Sequence, residues 1–322
     1  MPSGEFDSDA LVGHTGFVGG NLMASHDFGA VFNSRTIGDI GGRSFRTLVC
    51  AAAPATMWAA NKDPEADLAN IRRLIAGLET AKADRFVLIS TVAVLADAAA
   101  GADETTALFE TGKAYGRNRR LLEEACAALF PATHILRLPA LFGQGMKKNF
   151  LFDILNPVPS FLTRERYAAL EQSLPAPAAA LLPAVYRFAD GVGMYEADRS
   201  RLAGETRAVL TAALSAAGAT ALAFTNPGST FQYYGLAGLW DDIGRAIAHD
   251  LPVLHLAPEP LMAGDICRAL TGSDQPATAA PLYHEDMRTA YSQIWDGPPG
   301  YIRSKAAVMA DLKAFCEKAR RP

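Results

Sequence analysis

Tyr115 and Arg119 stand four residues apart in KAYGRNRRLLEEACAALF, at 113–130. On a helix, positions i and i+4 share a face. A phenol beside a guanidinium is expected to lose its proton more easily, because the positive charge favours phenolate. It then serves as an acid or base nearer neutral pH. Thr91 lies 24 positions before Tyr115, in RFVLISTVAVL at 85–95, and offers a hydroxyl to the same substrate oxygen. A second constellation is LVGHTGFVGGNL at 11–22, where Gly13, Gly16 and Gly19 recur every third residue between a short apolar run and a helical pattern. A strand, a glycine turn and a helix N-terminus together make an anion site, since free N–H groups and the helix dipole face one point. Gly13 would permit the tight turn, Gly16 the approach of a pyrophosphate, and Gly19 the close packing of helix on strand. Thr15, Phe17 and Val18 are the other cofactor-binding candidates of this turn.

The residue types after the second strand bear on which dinucleotide binds. An acid about 20 residues beyond the glycines would bind the ribose diol of NAD. Here stand Asn33, Ser34 and Arg35 instead. Arg35 suits a 2′-phosphate through a charge-assisted contact, so NADP is the expected cofactor and NAD the alternative; a solvated loop arginine is the plain reading of the same residue. Only about a dozen residues link Arg35 to RTLVCAA, so one βα unit is expected to be abbreviated, with Asp39 and Ile40 against the adenine.

These groups need elements to hold them. DALV, AVFNS, RTLVCAA, RFVLISTVAVL and HILRLPALFG read as strands, and GFVGGNLMASH as a helix. DPEADLANIRRLIAGLETAKA carries Leu68, Ile71, Leu74, Ile75 and Leu78 at helical spacing. In KAYGRNRRLLEEACAALF, Leu121, Leu122, Ala125 and Leu129 are expected on the inner side. Apolar strands alternating with helices predict a Rossmann-type, doubly wound parallel α/β sheet. Residues 1–150 are read as the dinucleotide-binding domain. Residues 151–322 are read as a smaller, mostly helical C-terminal substrate lobe, with about 223–272 returning to the first domain. The Ala- and Pro-rich stretch 157–222 reads as packed helices, a cap or an oligomer surface. LAGLWDDIGRAIAHDL, LMAGDICRALTG and the closing YIRSKAAVMADLKAFCEKARR also read as helices, with PVLHLA as a strand.

The composition narrows the class. The chain has 322 residues, 50% hydrophobic and 20% charged, with a formal net charge of -4. A nucleic-acid partner would call for a basic face, and no apolar run reaches the roughly 18–20 residues that span a bilayer. The amino terminus, MPSGEFDSDALVG, is too polar for a secretory signal. Cys50, Cys126, Cys267 and Cys316 form no CxxC pair, and the six histidines show no metal spacing. Reduced thiols, no metal, no membrane partner and a cytoplasmic location are expected. Cys126 and Cys267 sit in helical patterns as packing thiols.

The chain resembles the extended short-chain dehydrogenase/reductase family, the NAD(P)-dependent epimerases and dehydratases of nucleotide sugars. The matching pieces are GHTGFVG, AAAPA, STVAV, Tyr115 with its i+4 cation, RLPALFG and HLAPEPLMAGDICRAL, covering nearly all the chain except the middle insert. The resemblance implies that Tyr115 transfers the proton, that Thr91 assists it, and that Gly13, Gly16 and Gly19 hold the cofactor. It further implies that Ala51, Ala52, Ala53, Leu138 and Pro139 border the cofactor, that the substrate is a nucleotide sugar, and that a homodimer pairs through the tyrosine's helix. The chain departs from the pattern in four places. Arg119 replaces a lysine that anchors the nicotinamide ribose; arginine is bulkier and keeps its proton. Val92 and Ala93 stand where the dehydratases carry an Asp-Glu pair, which disfavours 4,6-dehydration. Leu95 replaces a tyrosine, and Ala140 an asparagine.

Other candidates have plain readings beside the functional ones. Lys147, Lys148 and Asn149 suit a substrate phosphate, or form a solvated basic turn. Met57 and Trp58 border substrate, or fill core. Phe231, Tyr233, Tyr234 and Trp240 stack on a base, or pack internally. His284, Asp286 and Arg288 touch substrate, or form a surface ion pair. The reading is therefore a nucleotide-sugar oxidoreductase or epimerase. A simple carbonyl reductase and a non-catalytic dinucleotide sensor are the rivals.

Overall fold

The computed structural model describes residues 8–320. Most of the polar amino-terminal stretch read above therefore lies outside the described residues. The chain divides into two compact units. The first comprises Met1–Met146, Phe231–Leu261 and His284–Leu312, and the second Lys147–Thr230, Met262–Tyr283 and Lys313–Pro322.

The first unit begins with β1 (Ala10–Val12), α1 (Phe17–Ser25), β2 (Ala30–Phe32) and β3 (Ser44–Cys50). It continues with α2 (Met57–Lys62), α3 (Pro64–Leu78), β4 (Lys82–Thr91), α4 (Ala114–Leu129), β5 (Thr133–Leu138) and β6 (Ala140–Phe142). Six parallel strands form its sheet, in the order Val253–His255, β5, β4, β3, β1, β2. β1 pairs with β2 on one side and β3 on the other, so its carboxyl end lies where the winding reverses, the place open α/β sheets reserve for ligands. Between β2 and β3 there is only a turn of 3-10 helix, Ile37–Ile40, whose Ile40 is fully buried. The abbreviated unit expected from the short link is thus present.

The strands are apolar on both faces because both faces are covered. Phe86 and Leu88 of β4 join Val12, Phe45, Ile71 and Leu122 in one core. Val87 and Ile89 turn the other way, toward Leu11, Val49, Leu136 and the helix Leu239–Ala248. Full burial of such side chains contributes about 1.5–3 kcal/mol each. Tyr233 and Tyr234 are buried, and Trp240 stacks on His26 at 3.7 Å, so this aromatic run is packing.

α4 departs from its expected face. Leu122 is buried, but Leu121 is 38% exposed; the remaining buried positions include Asn118, Arg119, Glu123 and Cys126. The helix turns polar residues inward because partners from elsewhere satisfy them. Glu123 receives Ser90 Oγ at 2.6 Å and two bonds from Arg137, at 3.0 and 2.7 Å. Arg137 Nη1 donates to His255 Nε2 at 3.1 Å, which leaves the His255 Nδ1–H to donate to the Arg288 carbonyl. Burial holds His255 below its ordinary pKa, in keeping with that neutral form.

The second unit packs Val158, Leu162, Tyr167, Leu170, Leu182, Tyr186, Leu210 and Leu214 into its own core. Helices Arg164–Ser173 and Gly204–Ala216 match the expected stretches. The insert also contains a three-stranded antiparallel sheet of Phe161–Leu162, Met194–Ala197 and Tyr186–Ala189, which the helical reading did not anticipate. Its hairpin closes at Gly193, whose φ of 74° suits a residue without Cβ. The closing helix spans Lys305–Arg320. No helix among the described residues is long and apolar enough to cross a membrane. No group of three or more His, Cys, Asp or Glu among them is arranged to hold a metal. All four cysteines are buried and none is in a disulfide.

Candidate active site

β1 ends in Gly13, whose φ is 97° and whose missing Cβ would stand 2.6 Å from the Ala51 carbonyl oxygen. Only glycine allows that crossing of two chains. Gly16 is the N-cap of α1 and supplies no side-chain cap, and the first turn of the helix has no acid. A Cβ on Gly19 would collide with the Gly13 carbonyl, so α1 rests directly on the turn. The Gly13 N–H reaches Phe32 O and the Ala51 N–H reaches Val12 O, both at 2.8 Å, which ties the turn to β2 and β3. Thr15 and Gly16 are exposed; Phe17, Val18, Ala51, Ala52 and Ala53 are half-buried beside them. Uncapped N–H groups, a helix N-terminus and a backbone cleared of side chains fit a diphosphate.

At the end of β2, Asn33 Oδ1 accepts the Arg35 N–H at 2.9 Å and Thr36 Oγ1 accepts the Asn33 N–H at 3.0 Å. This turn leaves Ser34 and Arg35 exposed. His14, which the sequence reading passed over, bonds the Phe32 carbonyl through Nδ1 at 3.0 Å and so stands at the same strand end. Its place directly after the first glycine was the available signal.

Thr91 closes β4, and its Oγ1 accepts the Ala93 N–H at 3.2 Å. Gly116, the residue after Tyr115, faces the Ala93 carbonyl so closely that a Cβ would overlap it. A glycine inside a helix costs about 1 kcal/mol relative to alanine; here it permits α4 to touch the segment after β4. The Tyr115 phenol therefore comes near enough to the Thr91 hydroxyl for the latter to favour its phenolate. Asn61 Oδ1 caps the entry to α4 by accepting the Tyr115 N–H at 2.9 Å.

Arg119 lies over the Tyr115 ring, its guanidinium carbon 4.0 Å from the centroid. It is 2% exposed. Nη1 pairs with Asp67 of α3 and Nη2 donates to the Pro54 carbonyl. Asn118 Nδ2 donates to the same Asp67 carboxylate at 2.8 Å. Arg119 Nε is left buried with no partner, an orphan donor of the kind a bound hydroxyl satisfies. The glycine turn and this donor fit the diphosphate and a ribose of a nicotinamide dinucleotide.

The expected lowering of the phenol pKa does not occur. Burial pushes Tyr115 above its ordinary value, and the Asp67 charge adds to the rise; Arg119 and Thr91 oppose it and are outweighed. The spacing of Tyr115 and Arg119 revealed the cation but not the buried carboxylate that shares it. Asp67, Asn118 and Gly116 are the residues missed. An acid within the apolar stripe of DPEADLANIRRLIAGLETAKA was the signal for the first.

Leu138 pairs with Thr91 across the sheet and is buried, with Pro139 following. Met57 and Trp58 are 47% and 52% exposed on α2, so they do not fill core. Asp286 and Arg288 form an ion pair at 2.9 Å. Lys148 and Asn149 belong to the second unit. Asn149 has φ 100° and caps the helix Phe150–Leu155, its Oδ1 accepting the Phe152 N–H at 3.0 Å.

No protein-family model and no curated protein sequence matches the chain. Solved structures do. A dTDP-4-dehydrorhamnose reductase from Bacillus anthracis, in complex with NADP, superposes with a TM-score of 0.60 at 12% identity, covering 97% of this chain and 98% of that one. A UDP-N-acetylglucosamine 4-epimerase from Methanobrevibacter ruminantium, in complex with UDP-N-acetylmuramic acid, gives 0.60 at 9% identity and 97% of each chain. The UDP-glucose 4-epimerase of Thermotoga maritima, with UDP-glucose, gives 0.56 at 12% identity, over 98% of this chain and 99% of that one. At such identities the likeness is one of fold. The chain has the Rossmann-type α/β fold of these reductases and epimerases over nearly its whole length.

Proposed function

We propose that the chain is an NAD(P)-dependent oxidoreductase of the extended short-chain dehydrogenase/reductase type, acting on a nucleotide sugar or a related hydroxyl or carbonyl compound. The observation that carries this reading is the meeting of Thr91, Tyr115 and Arg119 at the carboxyl end of β4, in the sheet whose β1 ends in the uncapped glycine turn. Gly13, Gly16, Gly19 and the first N–H groups of α1 would hold the diphosphate. Arg119, through Nε, would hold the nicotinamide ribose. Arg35 favours NADP over NAD. A bound nicotinamide supplies or accepts the hydride.

The chain's own residues move the proton. Tyr115, kept as phenol at neutral pH, suits donation to an oxygen that is gaining charge. Thr91 steadies that oxygen through its hydroxyl. Asp67 holds Arg119 in place and moderates its pull on the phenol. This arrangement favours reduction of a carbonyl over the removal of a proton that epimerisation also needs. A homodimer through α4 belongs to the same reading, and the exposure of Leu121 on that helix supports it.

The test is turnover of NADPH by the purified chain with a panel of keto nucleotide sugars, beside Tyr115→Phe. Loss of a general acid lowers the rate by about 10²–10⁴. Unchanged turnover in Tyr115→Phe removes the tyrosine from the mechanism. Nicotinamide binding without turnover of any substrate favours a sensor, a reading that the commitment of Arg119 to Asp67 also supports.

A further inference from the structure

Two arginines of the second unit have no part in the chemistry above. A cavity of about 110 Å³ is lined by Asn156, Pro157, Val158, Arg199, Leu202 and Arg207. Arg199 Nη2 donates to Val158 O at 2.9 Å and Ser160 Oγ at 2.6 Å, and its guanidinium carbon lies 5.2 Å from the centre of the Phe152 ring. Arg207 Nη2 donates to Leu155 O at 2.8 Å. These bonds fix both guanidiniums and leave the Nε and Nη1 groups of each free to donate. Neither arginine has a carboxylate within ion-pair distance among the described residues. Asp153, the acid that acts on Arg199, is half-buried, and desolvation pushes it up to about 7 while Arg199 pulls it down. Burial holds Arg199 below its ordinary pKa; Tyr186 and Asp153 oppose this, and the like charge of Arg207 adds to it. Two arginines thus line one cavity, and neither forms an ion pair with a carboxylate among the described residues.

We propose that this cavity binds a phosphate-class anion, held by the free N–H groups of Arg199 and Arg207. Planar guanidiniums match the oxygens of phosphate in paired, charge-assisted bonds. A cavity of this size admits a small anion such as one phosphoryl group. The anion is therefore orthophosphate or a phosphoryl group presented by a larger molecule. This site stands whether or not the nicotinamide reading does, since it shares no residue with the glycine turn.

The experiment is calorimetric titration of the full chain with sodium orthophosphate, against sodium chloride at matched ionic strength. Arg207→Gln and Arg207→Lys are titrated alongside, with thermal melting as the check on folding. Arg207 is exposed, so both variants are expected to fold. The expected result is binding to wild type that weakens at least about tenfold in Arg207→Gln and is partly retained in Arg207→Lys. A second arm uses uridine diphosphate: tighter Arg207-dependent binding there identifies a presented phosphoryl group, and tighter binding of orthophosphate identifies the free anion. Equal affinity of wild type and Arg207→Gln for both probes, or no phosphate binding to wild type, overturns the site.

Discussion

Asp67 sets the behaviour of the pair that the chemistry depends on. Its carboxylate takes one side of the Arg119 guanidinium and adds to the rise that burial imposes on the Tyr115 pKa. Tyr115 then donates its proton up to an alkaline limit, and reduction is expected to fall only as pH rises through the raised phenol value. In Asp67→Asn the negative charge is gone and Arg119 acts on the phenol alone, so the alkaline limb of kcat/KM is expected to move to lower pH. A uniformly lower rate with the limb unmoved would mean that Asp67 only supports the fold. Arg35 makes the corresponding case for the cofactor. Its exposed side chain stands where no acid is available for a ribose diol, and Arg35→Ala is expected to weaken NADPH at least about tenfold while leaving NADH nearly unchanged. Equal losses for both would assign Arg35 to the loop alone. These two residues differ in legibility. Arg35 follows an apolar strand and could be read directly. Asp67 sits among Ile71, Leu74 and Leu78, and only its distant partners, Asn118 and Arg119, explain why a carboxylate is buried there.

α4 shows what element-level reading gains and loses. Its existence followed from the spacing of apolar residues, but Asn118, Arg119 and Glu123 share the buried stripe with Leu122 and Cys126. A rule that sends apolar residues inward placed Leu121 inside, whereas Glu123 occupies the core because Ser90 and Arg137 complete its hydrogen bonds. Partners so far away in sequence leave no local trace. Gly116 provides a test in which two effects have opposite signs. Helix propensity alone has Gly116→Ala stabilise by about 1 kcal/mol. The contact with the Ala93 carbonyl instead forces α4 away from Thr91, so a lower melting temperature and a large loss of turnover are expected. A variant that melts higher with full activity would show that the close approach is not needed. The antiparallel strands of the insert were hidden for another reason: they are only two to four residues long and lie within a stretch whose alanines suit helices.

Over the whole molecule, the alternation of apolar strands and helices carried the parallel sheet, and the three glycines carried the reversal point where a ligand is expected. The proposed reaction joins that fold to one proton and one hydride. Transfer of deuteride from C4-labelled NADPH to a keto nucleotide sugar, followed by mass spectrometry in a single turnover, tests the junction directly. Wild type is expected to place the label on the sugar, and Tyr115→Phe to do so at least about 100-fold more slowly. Label that never leaves the nicotinamide for any substrate, or that leaves equally fast without the phenol, would contradict it.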